Sequence, residues 1–195
     1  MSPTSIVDNP WDSLEVAKLL VGILTPISVA AIGWFISRRL RQLDQHMWAS
    51  QKVIEKRIEV YDQIAPKLNS LFCFLTWVGN WKDVSPEDVI VYKRDLDKTM
   101  NIYRHLFEDE VFGCYQSYIH CAFRTFYGPG EDAKIRSAIN SSNGDRTKHC
   151  SYEWDENWNS RFAEGHETEL SEVREKYYKL MNTLSRSIGI EEKAS

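Results

Sequence analysis

The chain has 195 residues, a formal net charge of −4 and a pI near 5.8. Only 9 Gly and 6 Pro exclude collagen-like and low-complexity classes, and 43% hydrophobic residues are too many for a disordered chain. The acidic balance supplies no global basic field for nucleic acid, and 4 Cys without a C-x-x-C are no disulfide framework at this length.

The first predicted element is a membrane span over 17–37. Its centre, Leu19 to Ser37, reads LLVGILTPISVAAIGWFIS, 19 residues without a charge. A helix of that length rises about 28 Å, close to the hydrocarbon thickness of a bilayer. Trp11 and Trp34 suit the two interfacial belts, and Lys18 can snorkel. A cleaved signal peptide carries positive charge ahead of its apolar run, whereas Asp8, Asp12 and Glu15 precede this one with Lys18 as the only base. A core helix of a soluble domain shows a polar stripe, and this stretch has none.

The flanks predict orientation. Arg38, Arg39 and Arg41 follow the span directly and Lys52, Lys56 and Arg57 come soon after, so the C-terminal side is expected in the cytoplasm. Residues 1–16 then form a short extracytoplasmic N-terminus. Asn140-Ser141-Ser142 fits a glycosylation sequon, but a cytoplasmic sequon carries no sugar. Four unpaired Cys agree with a reducing compartment.

Within the span, Gly22, Pro26, Ala30 and Gly33 recur at helical spacing and form one small-residue face. Such a face lets helix backbones approach closely in lipid. A single-pass chain has no second span of its own to pack against, so a homo-oligomer is expected, with the lipid bilayer as the other partner.

Residues 38–80 read as a long juxtamembrane helix with apolar positions at Leu40, Leu43, Met47, Val53, Ile54, Ile58, Tyr61, Ile64 and Leu68. Lys52–Lys56 and Glu55–Glu59 set like charges at i,i+4, so packing of the stripe rather than surface pairing should hold it. Pro66 is expected to kink it or to start a second segment ending at Gly79. Residues 81–190 read as a helical bundle. Ser85-Pro86-Glu87-Asp88 starts a helix running to about Phe107. An aromatic-rich helix follows over Asp109–Phe126, then Gly128-Pro129-Gly130 breaks the chain. A short helix is predicted over Glu131–Ile139, a polar loop over Asn140–Tyr152 and a closing helix from Asn157 or His166 to Ile188. A charged tail, 191–195, ends the chain. No stretch alternates like a strand, so the fold class is all-α, a bundle on a membrane helix.

Arg161 and His166 stand in R-x4-H, a spacing that suits metal-independent RNA cleavage, where Arg stabilises phosphorane charge and His moves a proton. Arg41 and His46 fit the same pattern beside the membrane, and Phe162 follows Arg161 where a polar residue is usual. His120-Cys121, His149-Cys150 and Cys114 offer soft zinc ligands, but not at zinc-site spacings, and Cys114 and Cys121 read more simply as small core residues. No metal and no cofactor are therefore expected. The stretch Gly128–Trp158 reads as a solvated loop pinned by Tyr152, Trp154 and Trp158, or as a recognition surface. Walker A, GxSxG, HExxH and GxGxxG motifs do not occur, which argues against an ordinary metabolic enzyme.

The short N-terminus, the single span, Arg38-Arg39-x-Arg41 and Glu55-Lys56-Arg57-Ile58-Glu59-Val60-Tyr61-Asp62 resemble small bacterial membrane proteins of antiviral defence. In outline, with the late Arg161/His166 pair, the chain is similar to the HEPN-like accessory membrane protein of type VI-B CRISPR systems. That resemblance implies a helical effector or accessory subunit that assembles in the inner membrane and perturbs it, beside a cytosolic defence-system partner. It also implies an alternative, a membrane-tethered HEPN-type ribonuclease with Arg161 and His166 as its catalytic pair. A third reading is a passive scaffold for a cytosolic partner.

Overall fold

The structure, a computed structural model, describes residues 13–125, 128 and 130–190. The chain divides into two units, residues 1–51 and 52–195. Helix α1, Ser13–Thr76, contributes to both. Trp11, Phe126 and the tail 191–195 lie outside the described residues, as do the side chains of residues 41–49, among them Arg41, Leu43, His46 and Met47.

In the first unit, Leu20–Leu40 is a helix long and apolar enough to cross a membrane, with a mean hydropathy of 1.9. Pro26 sits inside it without interrupting the helix. At its C-terminal end Arg38 lies over the Trp34 ring at 5.5 Å and Arg39 over Phe35 at 5.4 Å. Each cation lies over an aromatic ring one helical turn earlier, an i,i+4 arrangement.

In the second unit, α1 buries a stripe made of Val60, Ile64, Leu68, Leu71 and Leu75, each 0–1% exposed. These positions step by three and four, so one face of the helix enters the core. The predicted stripe shifts here. Val53, Ile54 and Ile58 are exposed, and Val60, not Ile58, is the first fully buried aliphatic. Surface pairing is also better than the like-charge i,i+4 count implies, because Lys52–Glu55 at 2.6 Å and Lys56–Glu59 at 2.5 Å close at i,i+3.

Helix α1 continues through Pro66 to Thr76, against the predicted kink. Pro66 and Asp62, whose carbonyl loses the Pro66 amide, are both exposed, so water can serve that carbonyl. The helix stops at Trp77, which takes a left-handed φ of 61°, and the Val78 amide donates to the Cys73 carbonyl at 3.1 Å. That 6→1 bond is a Schellman closure, normally built on Gly. Gly79 follows at φ 56°.

Helix α2, Pro86–Ile102, begins in a full capping box in which the Ser85 hydroxyl and the Asp88 side chain each accept the other's backbone amide. It ends five residues earlier than expected, and a 3-10 turn over Arg104–Leu106 completes the segment to the buried Phe107. Helix α3, Asp109–Ala122, packs on helix α5, Leu170–Ser187. Phe72 of α1 stacks on Tyr177 of α5 at 4.2 Å, and Tyr118 of α3 tilts against the same ring at 5.8 Å. Arg57 ties these parts together at one end. It donates to the carbonyls of Leu106 (2.5 Å) and Ser187 (2.8 Å) and pairs with Glu108 at 3.0 Å.

The connection from α3 to α5 departs most from the sequence reading. Strand β1, Phe123–Arg124, replaces the last predicted turn of α3 and pairs antiparallel with β2, Lys134–Ile135, where a short helix was expected. Ile135 is fully buried and its carbonyl accepts the Ala163 amide at 2.9 Å. A single buried residue between polar neighbours is served by an extended backbone, not by a helix face. The predicted polar loop is a hairpin of β3, Asn140–Ser141, and β4, Gly144–Asp145. Helix α4, Arg146–His149, follows, capped by the Asp145 carboxylate. A 3-10 segment over Glu156–Arg161 precedes α5, which starts at Leu170 and not at either predicted position. Helices carry the architecture, so the fold is all-α with two minimal ladders as trim.

Candidate functional site

The structure places the predicted Arg161/His166 pair in separate roles. Arg161 ends the 3-10 segment, and its guanidinium bonds Asp132 at 2.7 Å and Glu87 at 2.9 Å. Asp132 also holds Arg94. The Arg94 hydrogen bond, then that of Arg161, keeps the Asp132 carboxyl below the usual carboxylate range. Arg161 is thus a strut between the first turn of α2 and the segment before β2. His166 is exposed; its amide donates to Ala163 at 3.1 Å and its carbonyl accepts from Arg136 at 3.1 Å. No hydrogen bond joins the Arg161 and His166 side chains among the described residues. A guanidinium already neutralised by two carboxylates offers little charge to a phosphorane.

The His-Cys pairs do not converge either. Cys114 and Cys121 are buried on α3, where burial pushes the Cys121 thiol up to about 11. His120 is exposed, and its carbonyl accepts from Arg136 at 3.0 Å. His149 turns back on the Asp145 carbonyl at 2.8 Å. No group of three or more His, Cys, Asp or Glu suited to a metal occurs among the described residues.

The 128–158 stretch is anchored by its aromatics. Tyr152 donates to the Val84 carbonyl at 2.9 Å, Trp158 meets both Tyr152 and Trp154 edge-on, and Trp154 stacks on the buried Phe162. Ser151 bonds the Lys82 carbonyl and the Asp83 carboxylate. These contacts hold the loop on residues 82–84.

Arg146 is the group that sequence reasoning missed. It is 1% exposed and is the largest fully buried side chain among the described residues. Its guanidinium lies 3.9 Å from the Phe74 ring centroid and 3.7 Å from that of Trp77, with Trp81 at 5.7 Å. It donates to the Ala138 carbonyl at 3.0 Å, the Ser137 hydroxyl at 3.0 Å and the Phe74 carbonyl at 2.8 Å. Burial pushes its pKa down to about 9. No carboxylate pairs with it among its hydrogen-bond partners. The compensating charge is the C-terminal end of α1, whose last-turn carbonyls carry the negative pole of the helix. The one sequence signal was indirect: the last turn of α1 contains no base of its own.

In the span, Gly22 and Gly33 have open space where a Cβ would stand. Pro26 has no amide for the Gly22 carbonyl, a deficit that matters in hydrocarbon. Arg38 and Arg39 occupy the end of the apolar stretch at which the sequence expects the cytoplasmic boundary.

No protein-family model, no curated protein sequence and no solved structure matches the chain.

Proposed function

We propose that this protein is a membrane-anchored helical effector or accessory protein that self-assembles in a bacterial inner membrane and perturbs it, in antiphage defence. The observation that carries the reading is the Leu20–Leu40 helix, 0% buried and apolar on every side. A helix uncovered all round fits a lipid solvent. The Lys/Arg bias after the span supports an N-out, C-in arrangement with the helical unit in the cytoplasm. The arrest of Arg161 by Asp132 and Glu87 favours a non-enzymatic output over RNA cleavage.

The test measures membrane depolarisation and RNA integrity in cells expressing Gly22→Leu, Gly33→Leu, Arg161→Ala and His166→Ala variants. Depolarisation should fall in both glycine variants and survive in His166→Ala. RNA decay that vanishes in the Arg161 and His166 variants, with depolarisation unchanged in the glycine variants, would establish the ribonuclease instead. Alkaline phosphatase fused at Ser195 should be inactive, and an active fusion would reverse the topology.

A further inference from the structure

We infer that Trp34, Phe35, Arg38 and Arg39 form a docking groove for the headgroup phosphate of an anionic phospholipid, in the leaflet beside the C-terminal end of the span. This rests on the membrane reading above and names the lipid class that the anchor selects.

Both arginines lie inside the apolar Leu20–Leu40 helix, at its last turn. Side chains on a helix lean towards its N-terminus, which at this end means towards the hydrocarbon. The arginines follow that lean. Arg38 rests over Trp34 at 5.5 Å and Arg39 over Phe35 at 5.4 Å, so each charge sits at the depth of its ring and not one turn further out. Interfacial aromatic rings sit at the headgroup level of a bilayer. A charge held there is at the level of the lipid phosphates. Trp34 and Phe35 are themselves exposed, so no protein covers this side of the helix.

The chain offers these two cations no anion nearby. No Asp or Glu lies between Glu15 and Asp44. Asp44 stands six residues from Arg38 and five from Arg39, off the i,i+3 and i,i+4 spacings at which helical side chains meet. None of the ion pairs among the described residues includes Arg38 or Arg39. The counter-charge therefore comes from outside the chain, and at this depth the membrane supplies it. A guanidinium lying over a ring spends none of its N–H groups there, so its planar fork stays available to phosphate oxygens. The four side chains line one open groove, which brings both cations to the same ligand. A zwitterionic headgroup carries a cation that offsets its own phosphate. An anionic headgroup does not, so the two arginines favour it.

The test is native mass spectrometry of the full-length protein, released from nanodiscs of mixed dioleoyl phosphatidylglycerol and dioleoyl phosphatidylcholine. Wild type should retain phosphatidylglycerol several-fold over phosphatidylcholine and keep it in excess inorganic phosphate. Arg38→Lys with Arg39→Lys keeps both charges but removes the forks, and Trp34→Leu with Phe35→Leu keeps the apolar span but removes the rings. Each pair should lose most of the preference. An undiminished preference in either pair overturns the groove, because charge at the span's end would then suffice. Displacement of the lipid by inorganic phosphate overturns the lipid as the ligand. Carbonate extraction of cell membranes separates the two readings. Wild type washed off the membrane removes the span and the groove together, whereas wild type retained without a phosphatidylglycerol preference removes the groove alone.

Discussion

The Arg146 guanidinium donates to the Phe74 carbonyl at 2.8 Å, joining residues 72 apart in sequence. Phe74 lies in the last turn of α1, where carbonyls have no amide ahead of them. Arg146 opens the short helix after the β3–β4 hairpin, so the hairpin delivers the cap. The same guanidinium lies against Trp77, the residue that ends α1 in a left-handed turn. One side chain therefore closes the helix, fills the gap beneath the hairpin and holds the turn.

Arg146→Ala should destabilise the unit 52–195 by about 3–5 kcal/mol, because it leaves two buried acceptors and a part-buried one short and opens a cavity between aromatic rings. Arg146→Lys should recover little of that loss, since one ammonium cannot span the Phe74, Ser137 and Ala138 acceptors as a planar fork does. Chemical denaturation of the two variants checks this. A Lys variant as stable as wild type would show that charge alone, without the fork, suffices.

Trp77 offers a second comparison. Trp77→Gly and Trp77→Ala both remove the ring from Arg146 and Trp81. Only Gly accepts the φ of 61° without steric cost, so the Gly variant should be more stable than the Ala variant by roughly 1 kcal/mol. Both should fall below wild type. Thermal melts of the pair read the order directly, and Ala above Gly would remove the left-handed closure from the account.

Acid should act through Asp132. Its folded-state pKa is depressed by Arg94 and Arg161, so its contribution is complete above the ordinary carboxylate value of 3.8. It is lost as pH falls from there through the depressed value. Asp132→Asn should be less stable than wild type near neutral pH, by roughly 1 kcal/mol for a partly exposed pair network. Its stability should also fall less steeply than wild type below about pH 4. Denaturation midpoints measured across that range test the sign, and parallel curves would rule Asp132 out as the titrating group.

The capping box of α2 predicts a smaller, local effect. Ser85→Ala removes the hydroxyl that accepts the Asp88 amide at 3.1 Å. The cost should be about 1 kcal/mol, with Ser85→Asp close to neutral. Amide exchange at the first turn of α2 should accelerate in the Ala variant alone.

Periodicity and punctuation made the helices legible. The uncharged run around Pro26 announces the apolar helix because nineteen neutral residues have few other uses. Ser85-Pro86-Glu87-Asp88 announces α2 because capping is chemistry between near neighbours. Leu170, Val173, Tyr177, Leu180 and Leu184 mark α5 by their spacing alone. Where the sequence misled, the deciding contact was distant. Glu131–Ile139 has the composition of a helix, but Ile135 is claimed by Phe123 and Ala163, so the backbone is extended there. Pro66 looks like a break, yet its exposed position on α1 lets the helix continue. The R-x4-H spacing brings Arg161 and His166 near in sequence, but Arg161 is taken by Glu87 and Asp132, and a spacing rule cannot see them. Arg146 is the clearest case. Sequence places it after a Gly in a polar stretch, a setting that reads as solvent-exposed. Only the tertiary structure brings it under the end of α1, because a helix C-terminus and two aromatic rings together offer a guanidinium what no local segment does: negative potential, carbonyl acceptors and a dry face to lie on.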